Sequence, residues 1–202
     1  MTVVPTKANL LNVKKSLALA RTGFELLDRK RNILIRETMS LIDEAKDVQS
    51  EIDNTFAEAY ASLQTANITL GVVDTVAGTV PVDDGVSISF KSVMGVEIPL
   101  VNLPHTPPVP AYGYSRTNAM LDDAYLKFDA VKQLIARLAQ IENSVYRLAQ
   151  AIKKTQKRAN ALKNIVIPRF EGQVKFITDA LEEKEREEFS RMKVIKRGKE
   201  NH

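Results

Sequence analysis

The sequence predicts a mainly α protein: two very long helices in an antiparallel coiled coil, with a small β-hairpin insert at one end. Three observations point there. Of the eight glycines and eight prolines, eleven lie between Gly71 and Gly113, so the helix breakers are gathered into one stretch. Steps of three and four residues from Leu10 meet Val13, Leu17, Ala20, Phe24, Leu27, Arg31, Leu34, Thr38, Leu41, Ala45, Val48 and Ile52, and only Arg31 and Thr38 interrupt the apolar series. That is the seam of a coiled coil. The C-terminal part repeats it through Leu121, Ala124, Phe128, Val131, Ile135 and Leu138, then through Val145, Leu148, Ile152, Ala159, Leu162, Val166, Phe170, Val174, Ile177 and Leu181.

The first helix takes Thr6, after Pro5, as its N-cap, and apart from Gly23 nothing breaks it before Gly71. It spans roughly 60 residues, about 90 Å at the rise of an α-helix. The second begins near Ser115 or Thr117, both good caps, and running to about Val194 would measure on the order of 120 Å. A lone helix of such length cannot bury its stripe, so the two pack on each other. The short insert makes the pairing antiparallel. These features divide the chain into a coiled-coil helix at 1–69, an insert at 70–114, a second coiled-coil helix at 115–197 and a tail at 198–202. Pro168 stands inside the second helix, where a proline costs about 3 kcal/mol unless something compensates.

Within the insert, "GVSISFKSVMGVEIPLV" alternates as strands do. Val86, Ile88 and Phe90 face one way, a turn follows near Met94-Gly95, and Val96, Ile98 and Leu100 continue beyond it. A two-stranded hairpin is marginal alone and should lean on the base of the coiled coil. The "PHTPPVPAYGY" that follows is a proline-stiffened connection back to the second helix.

The absence of cysteine excludes a disulfide framework and thiolate chemistry, and two histidines, His105 and His202, leave little for a metal site or a histidine base. His105, among prolines, is expected as a solvated loop residue. Nothing resembles a secretion signal or a membrane span, so a cytoplasmic chain without direct membrane insertion is expected. No phosphate-binding loop, dinucleotide fingerprint, zinc-protease helix or nucleophile elbow occurs. A two-helix rod has no concave site, so no catalytic residue, metal ligand or cofactor is assigned. Net charge +4 permits an anionic partner. The basic runs "DRKRNILIR" and "KKTQKRANALK" lack the aromatic interleaving of a nucleic-acid binder, and no nucleic acid is expected. In a register where Phe24 meets Leu162, Ala45 meets Ile141, Ile52 meets Leu134 and Arg31 meets Thr155, the two runs share one level. Like charges there weaken the pairing, which points to an acidic partner around the rod.

The stretches "PTKANLLNVKKSLALARTGFELLDRKRNIL" and "KKTQKRANALKNIVIPRFEGQVKFITDALEEKEREEF", with "PAYGY" between them, resemble the D subunit of the V-type and A-type rotary ATPases. The match spans both helices, whereas the insert agrees only in kind. The resemblance implies a non-catalytic rotor shaft, the coiled coil of the central stalk. Its termini would enter a hexameric head of catalytic A and B subunits, its lower part would bind the small F subunit, and its foot would seat on the funnel-shaped C (or d) subunit of the membrane ring. Such a shaft couples ATP hydrolysis or synthesis to proton or sodium transport and lies at the membrane only through the complex. Head contact is then expected at Arg29, Lys30, Lys153, Lys154, Lys157, Arg158, Pro168 and Arg169. A kink at Pro168, followed by Gly172, would make the shaft an eccentric cam. A static coiled-coil spacer or adaptor is the alternative with the same physics.

Overall fold

The structure, a computed structural model, describes residues 4–104, 109, 112–113 and 117–200, with side chains to 197. The elements are α1 (Lys7–Leu70), a short α2 (Asp74–Ala77), β1 (Ser87–Val93), β2 (Val96–Asn102), α3 (Ala119–Ala161), a π-helical turn (Leu162–Val166) and α4 (Ile167–Glu200). The mainly α class with a small hairpin is therefore the fold observed, with the pairing of helices seen within each of two compact units. One unit holds 33–152, the other 1–32 with 153–202.

Local chemistry sets the helix ends. Thr6 caps α1 as expected: its hydroxyl accepts the Asn9 N–H at 3.2 Å, and its carbonyl accepts the Leu10 N–H at 3.0 Å. At the other end Gly71 takes φ +82°, the left-handed cap that an L side chain resists, and donates its N–H to the Asn67 carbonyl. The start of α3 differs from the sequence expectation. Its cap is Asn118, whose Oδ1 accepts the Leu121 N–H at 3.1 Å; Ser115 lies outside the described residues, and Thr117 instead bonds its hydroxyl to the Gly113 carbonyl. Asn118 also donates Nδ2 to Thr69 Oγ1 at 2.6 Å, so one side chain starts α3 and ties it to the end of α1. His105, His202 and most of the proline-rich connection, including all of "PAYGY" except Tyr112 and Gly113, fall outside the described residues.

In the 33–152 unit, α1 descends as α3 ascends. Glu44 pairs with Arg137 at 2.8 Å and Ser62 donates to Asp123 at 2.7 Å. Val48 and Ile52 lie between these contacts and Ile141 one turn beyond Arg137, all three buried, with Ala45 and Leu134 against them, as the apolar series predicts. One seam position changes: Ile135 is exposed, and Leu134 and Ile141 carry the apolar stripe through that stretch. Phe128 meets Phe56 and Tyr60 edge-on below them. The loop end is closed by Val73 and Tyr112 packing on Ala66 and Leu121. The short α2 was not legible in the sequence, and its Val76 joins that closure.

In the other unit, the same antiparallel order holds. Leu162 touches Gly23 at 3.7 Å from where a Cβ would be, Arg31 donates to Gln156 at 2.8 Å, and Arg21 and Lys7 pair with Glu171 and Glu185. Ala20, Ala159 and Ile177 are its buried centre.

The hairpin closes as a two-residue turn. Met94 at φ +51° and Gly95 at φ +74° both adopt the positive φ of a type I′ turn, whose twist suits the flanking strands. Val93 pairs with Val96 and Ser87 with Asn102, in antiparallel register. This pairing sets odd residues of β1 against even residues of β2, so Val93, Val96 and Ile98 share one face while Ile88, Phe90, Pro99 and Val101 share the other. The first face is the packed one: Ile98, 7% exposed, meets Leu34 and Leu148, with Val93, Val96 and Ile152 around them. The hairpin thus folds back along α3, fixed where Gln140 accepts the Val101 N–H at 2.8 Å and Arg147 donates to the Glu97 carbonyl.

Candidate partner-binding surfaces

Residues 28–32 of the first basic run and all of the second fall within one compact unit, whereas 33–36 fall in the other. Arg31 sits on the seam, half-buried, and satisfies its guanidinium with Gln156 and with Asp28 at 2.7 Å. Thr155, its expected neighbour, is buried beside that contact. Arg29 and Lys30 are sequence neighbours of Arg31, and Lys153, Lys154, Lys157 and Arg158 flank Gln156 and are exposed. None of these six cations makes an ion pair or hydrogen bond among the described residues. A long helix ordinarily spaces its charges as i,i+3 and i,i+4 pairs, as Lys46 does with Asp43 and Arg186 with Glu182. Six cations without a carboxylate partner among the described residues leave their charge available to a partner.

Pro168 does not stand in an α-helical interior. It is the second residue of α4, directly after the π turn, where the Ile167 N–H reaches the Leu162 carbonyl five residues back. In a regular α-helix the ring would press on the carbonyl of Asn164. The wider π turn takes up one additional residue and relieves that contact. Pro168 and Arg169 are both exposed, as is Gly172, which has open space beside it among the described residues. Lys163, inside the turn, lies 5.9 Å from the ring centre of Phe24. Sequence reading found the proline but not the turn, since the residues "LKNIV" look helical in either geometry.

The third surface was only half visible in the sequence. Of the named hairpin residues, Val96 and Ile98 are packed, whereas Val86, Ile88 and Phe90 are 49%, 61% and 57% exposed. They border an open groove of about 510 Å³ against α3, floored by Ile135, Ala136 and Ala139. Arg147 lies 5.2 Å from the Phe90 ring centre at one end. At the other, Lys132 joins Asp83 at 2.8 Å and Asp129 at 2.7 Å, pinning the loop before β1 to α3. The Lys132 ammonium, with the Gly85 N–H, holds the Asp83 carboxyl below its usual range. The hydrogen bonds that Lys132 donates to Asp129 and Asp83 raise its own pKa in turn. Elsewhere in this unit Asp123 is lowered by the Ser62 hydroxyl and by Lys127.

Among the described residues no helix is long and apolar enough to cross a membrane, and no group of three or more His, Cys, Asp or Glu side chains could hold a metal ion. Residues 9–197 match the family of ATP synthase D subunits. This chain belongs to that family. It is 48% identical to the V-type ATP synthase D subunit of Thermotoga neapolitana over 198 residues, 97% of this chain and 98% of that one. Against the A-type ATP synthase D subunit of Pyrococcus furiosus it is 37% identical over 199 residues, covering 96% and 93% of the two chains. The D subunit of Thermococcus kodakarensis, also A-type, is 36% identical over 201 residues, 97% and 94%. The insert and both helices fall within these matches.

Proposed function

We propose that this D subunit is the non-catalytic central-stalk rotor of a V/A-type ATPase, coupling ATP hydrolysis or synthesis in a catalytic head to proton or sodium transport through a membrane ring. The family match over residues 9–197 carries the proposal. Helices paired antiparallel in each unit supply the torsional stiffness a shaft needs. Its partners would be the A and B subunits of the head, the small F subunit of the stalk, and the funnel-shaped C (or d) subunit on the ring. The chain would be cytoplasmic, held peripherally at the membrane by the complex. The collar cations Arg29, Lys30, Lys153, Lys154, Lys157 and Arg158, with Pro168 and Arg169 beyond them, would face the head, where unpaired positive charge meets carboxylates.

The chain has no cysteine, so a single introduced thiol is unique in it. With Lys157→Cys bridged by a disulfide to a cysteine in the head of the assembled complex, a rotor cannot turn. ATP turnover should stop on oxidation and return on reduction. A static spacer tolerates the same bond, and a bridged complex that keeps full turnover would overturn the rotor reading.

A further inference from the structure

The hairpin has two strands, and among the described residues only one of its edges is covered. In a two-residue hairpin closed at Val93 and Val96, hydrogen-bonded pairs recur at Lys91 with Ile98 and Ser89 with Leu100. Ile88, Phe90 and Ser92 therefore turn their N–H and C=O groups away from β2. The corresponding outer edge of β2 is used, by Gln140 at Val101 and by Arg147 at Glu97. Nothing among the described residues takes up the outer edge of β1. Ser87 to Ser92 are all exposed. Free edges are usually blunted by proline, bulges or several charges, because they recruit other strands. β1 has no proline and one charge, Lys91. Its edge is also continuous with the exposed apolar face of Ile88 and Phe90.

We propose that β1 takes an additional strand from a protein partner, making a three-stranded sheet, with apolar side chains of that strand over the groove beside Phe90 and carboxylates near Lys91 and Arg147. The edge chemistry selects a strand, since only a strand satisfies a row of alternating donors and acceptors. Charge selects a different protein over a second copy of this chain. Antiparallel pairing of two β1 strands about Phe90 would gather two Arg147 and two Lys91 side chains, and neither residue has a carboxylate partner among the described residues. An acidic strand removes that repulsion. The proposal rests on the reading that the chain works within an assembly of several different proteins.

The test is amide hydrogen exchange on the free chain and on the assembled complex, joined to crosslinking from a photoreactive residue at position 90. The Ile88, Phe90 and Ser92 amides should exchange more slowly in the complex by up to roughly tenfold, the net gain of one hydrogen bond. The crosslink should reach a strand of a different protein in the complex. Ser92→Pro, which removes an outward N–H and little else, and Phe90→Lys should each abolish the protection while leaving helical content unchanged. Equal exchange in both states, a crosslink to another copy of this chain, or protection that survives Ser92→Pro would overturn the proposal. The thiol bridge at residue 157 separates the two readings: turnover that stops on bridging while these amides stay fast leaves the rotor and removes the edge, and the reverse removes the rotor alone.

Discussion

Deleting Ile165 should harm this protein only while Pro168 is present. The π turn of Leu162–Val166 holds one residue more than an α-helical turn, and Ile165, 66% exposed, packs on little. Removing it restores α-helical phase between Ala159 and Ile177, both fully inside the packed face. With the turn gone, however, the Pro168 ring meets the carbonyl four residues back, at a cost of about 3 kcal/mol. Pro168→Ala alone leaves the π turn in place and gains only the net value of one solvent-facing hydrogen bond, about 1 kcal/mol. The deletion combined with Pro168→Ala should be close to wild type. A double-mutant cycle thus reads a coupling of about 2 kcal/mol between the additional residue and the proline, while the deletion lies about 3 kcal/mol below the deletion with Pro168→Ala. In a chain of this size that corresponds to roughly 6–12 °C in Tm between the deletion and the deletion with Pro168→Ala. Thermal unfolding followed by helical circular dichroism is the assay. Equal Tm values for those two proteins would show that the turn does not exist to accommodate the proline, and the account of Pro168 would be wrong.

Two other outcomes follow from the charged groups. Reversal of Lys153, Lys154, Lys157 and Arg158 to glutamate should leave helicity unchanged, because all four are exposed, but weaken attachment to the head. The wild-type attachment should in turn weaken with salt, on the scale of a Debye length of about 8 Å at physiological ionic strength; unaltered assembly in a pull-down would reduce the collar to a solvated face. Asp83 and Asp123 both titrate below 3.8 in the fold, through Lys132 and Ser62 first, so the stability they contribute is whole above that value and is lost as pH falls through the depressed one. Asp83→Asn with Asp123→Asn should therefore flatten the acid limb of urea stability measured from about pH 5 to pH 2, and an unchanged slope would remove both carboxylates from it.

Much of the fold was legible because its forces are periodic. Leu34, Val48 and Ile52 announce themselves by spacing, and Thr6 and Gly71 end α1 with residues whose chemistry suits only those places. The hairpin turn was legible for the same reason, since Gly95 supplies the positive φ that the second turn position needs. What the sequence hid depends on which of two local geometries wins. Thr117 and Asn118 are both competent caps, and Asn118 prevails because its amide also reaches Thr69. Leu134 and Ile135 mark a similar limit: two adjacent apolar residues leave the seam ambiguous until the partner helix chooses between them. Which hairpin face packs could not be read either, because both faces carry Val, Ile or Phe, and only the packing of Ile98 on Leu34 and Leu148 decides it.

An apolar seam by itself does not fix where two helices stop sliding, because a shift of seven residues restores most of its contacts. Each unit of this protein interrupts its seam with one polar contact that such a shift destroys. In one, Arg31 lies against Gln156 and Asp28; sliding one way brings Arg31 to Lys163, and sliding the other way brings it to Ala149, leaving a half-buried guanidinium without its amide. In the other, Ser62, Asp123 and Lys127 bond mutually at 2.7, 2.9 and 3.0 Å, and either shift parts the serine from both charges. A buried polar group is expensive when unpaired, so these contacts act against the misaligned states more than they stabilise the aligned one. A seam held by apolar contacts alone can settle one heptad out of place, whereas one with a polar stop in each unit returns to the same register.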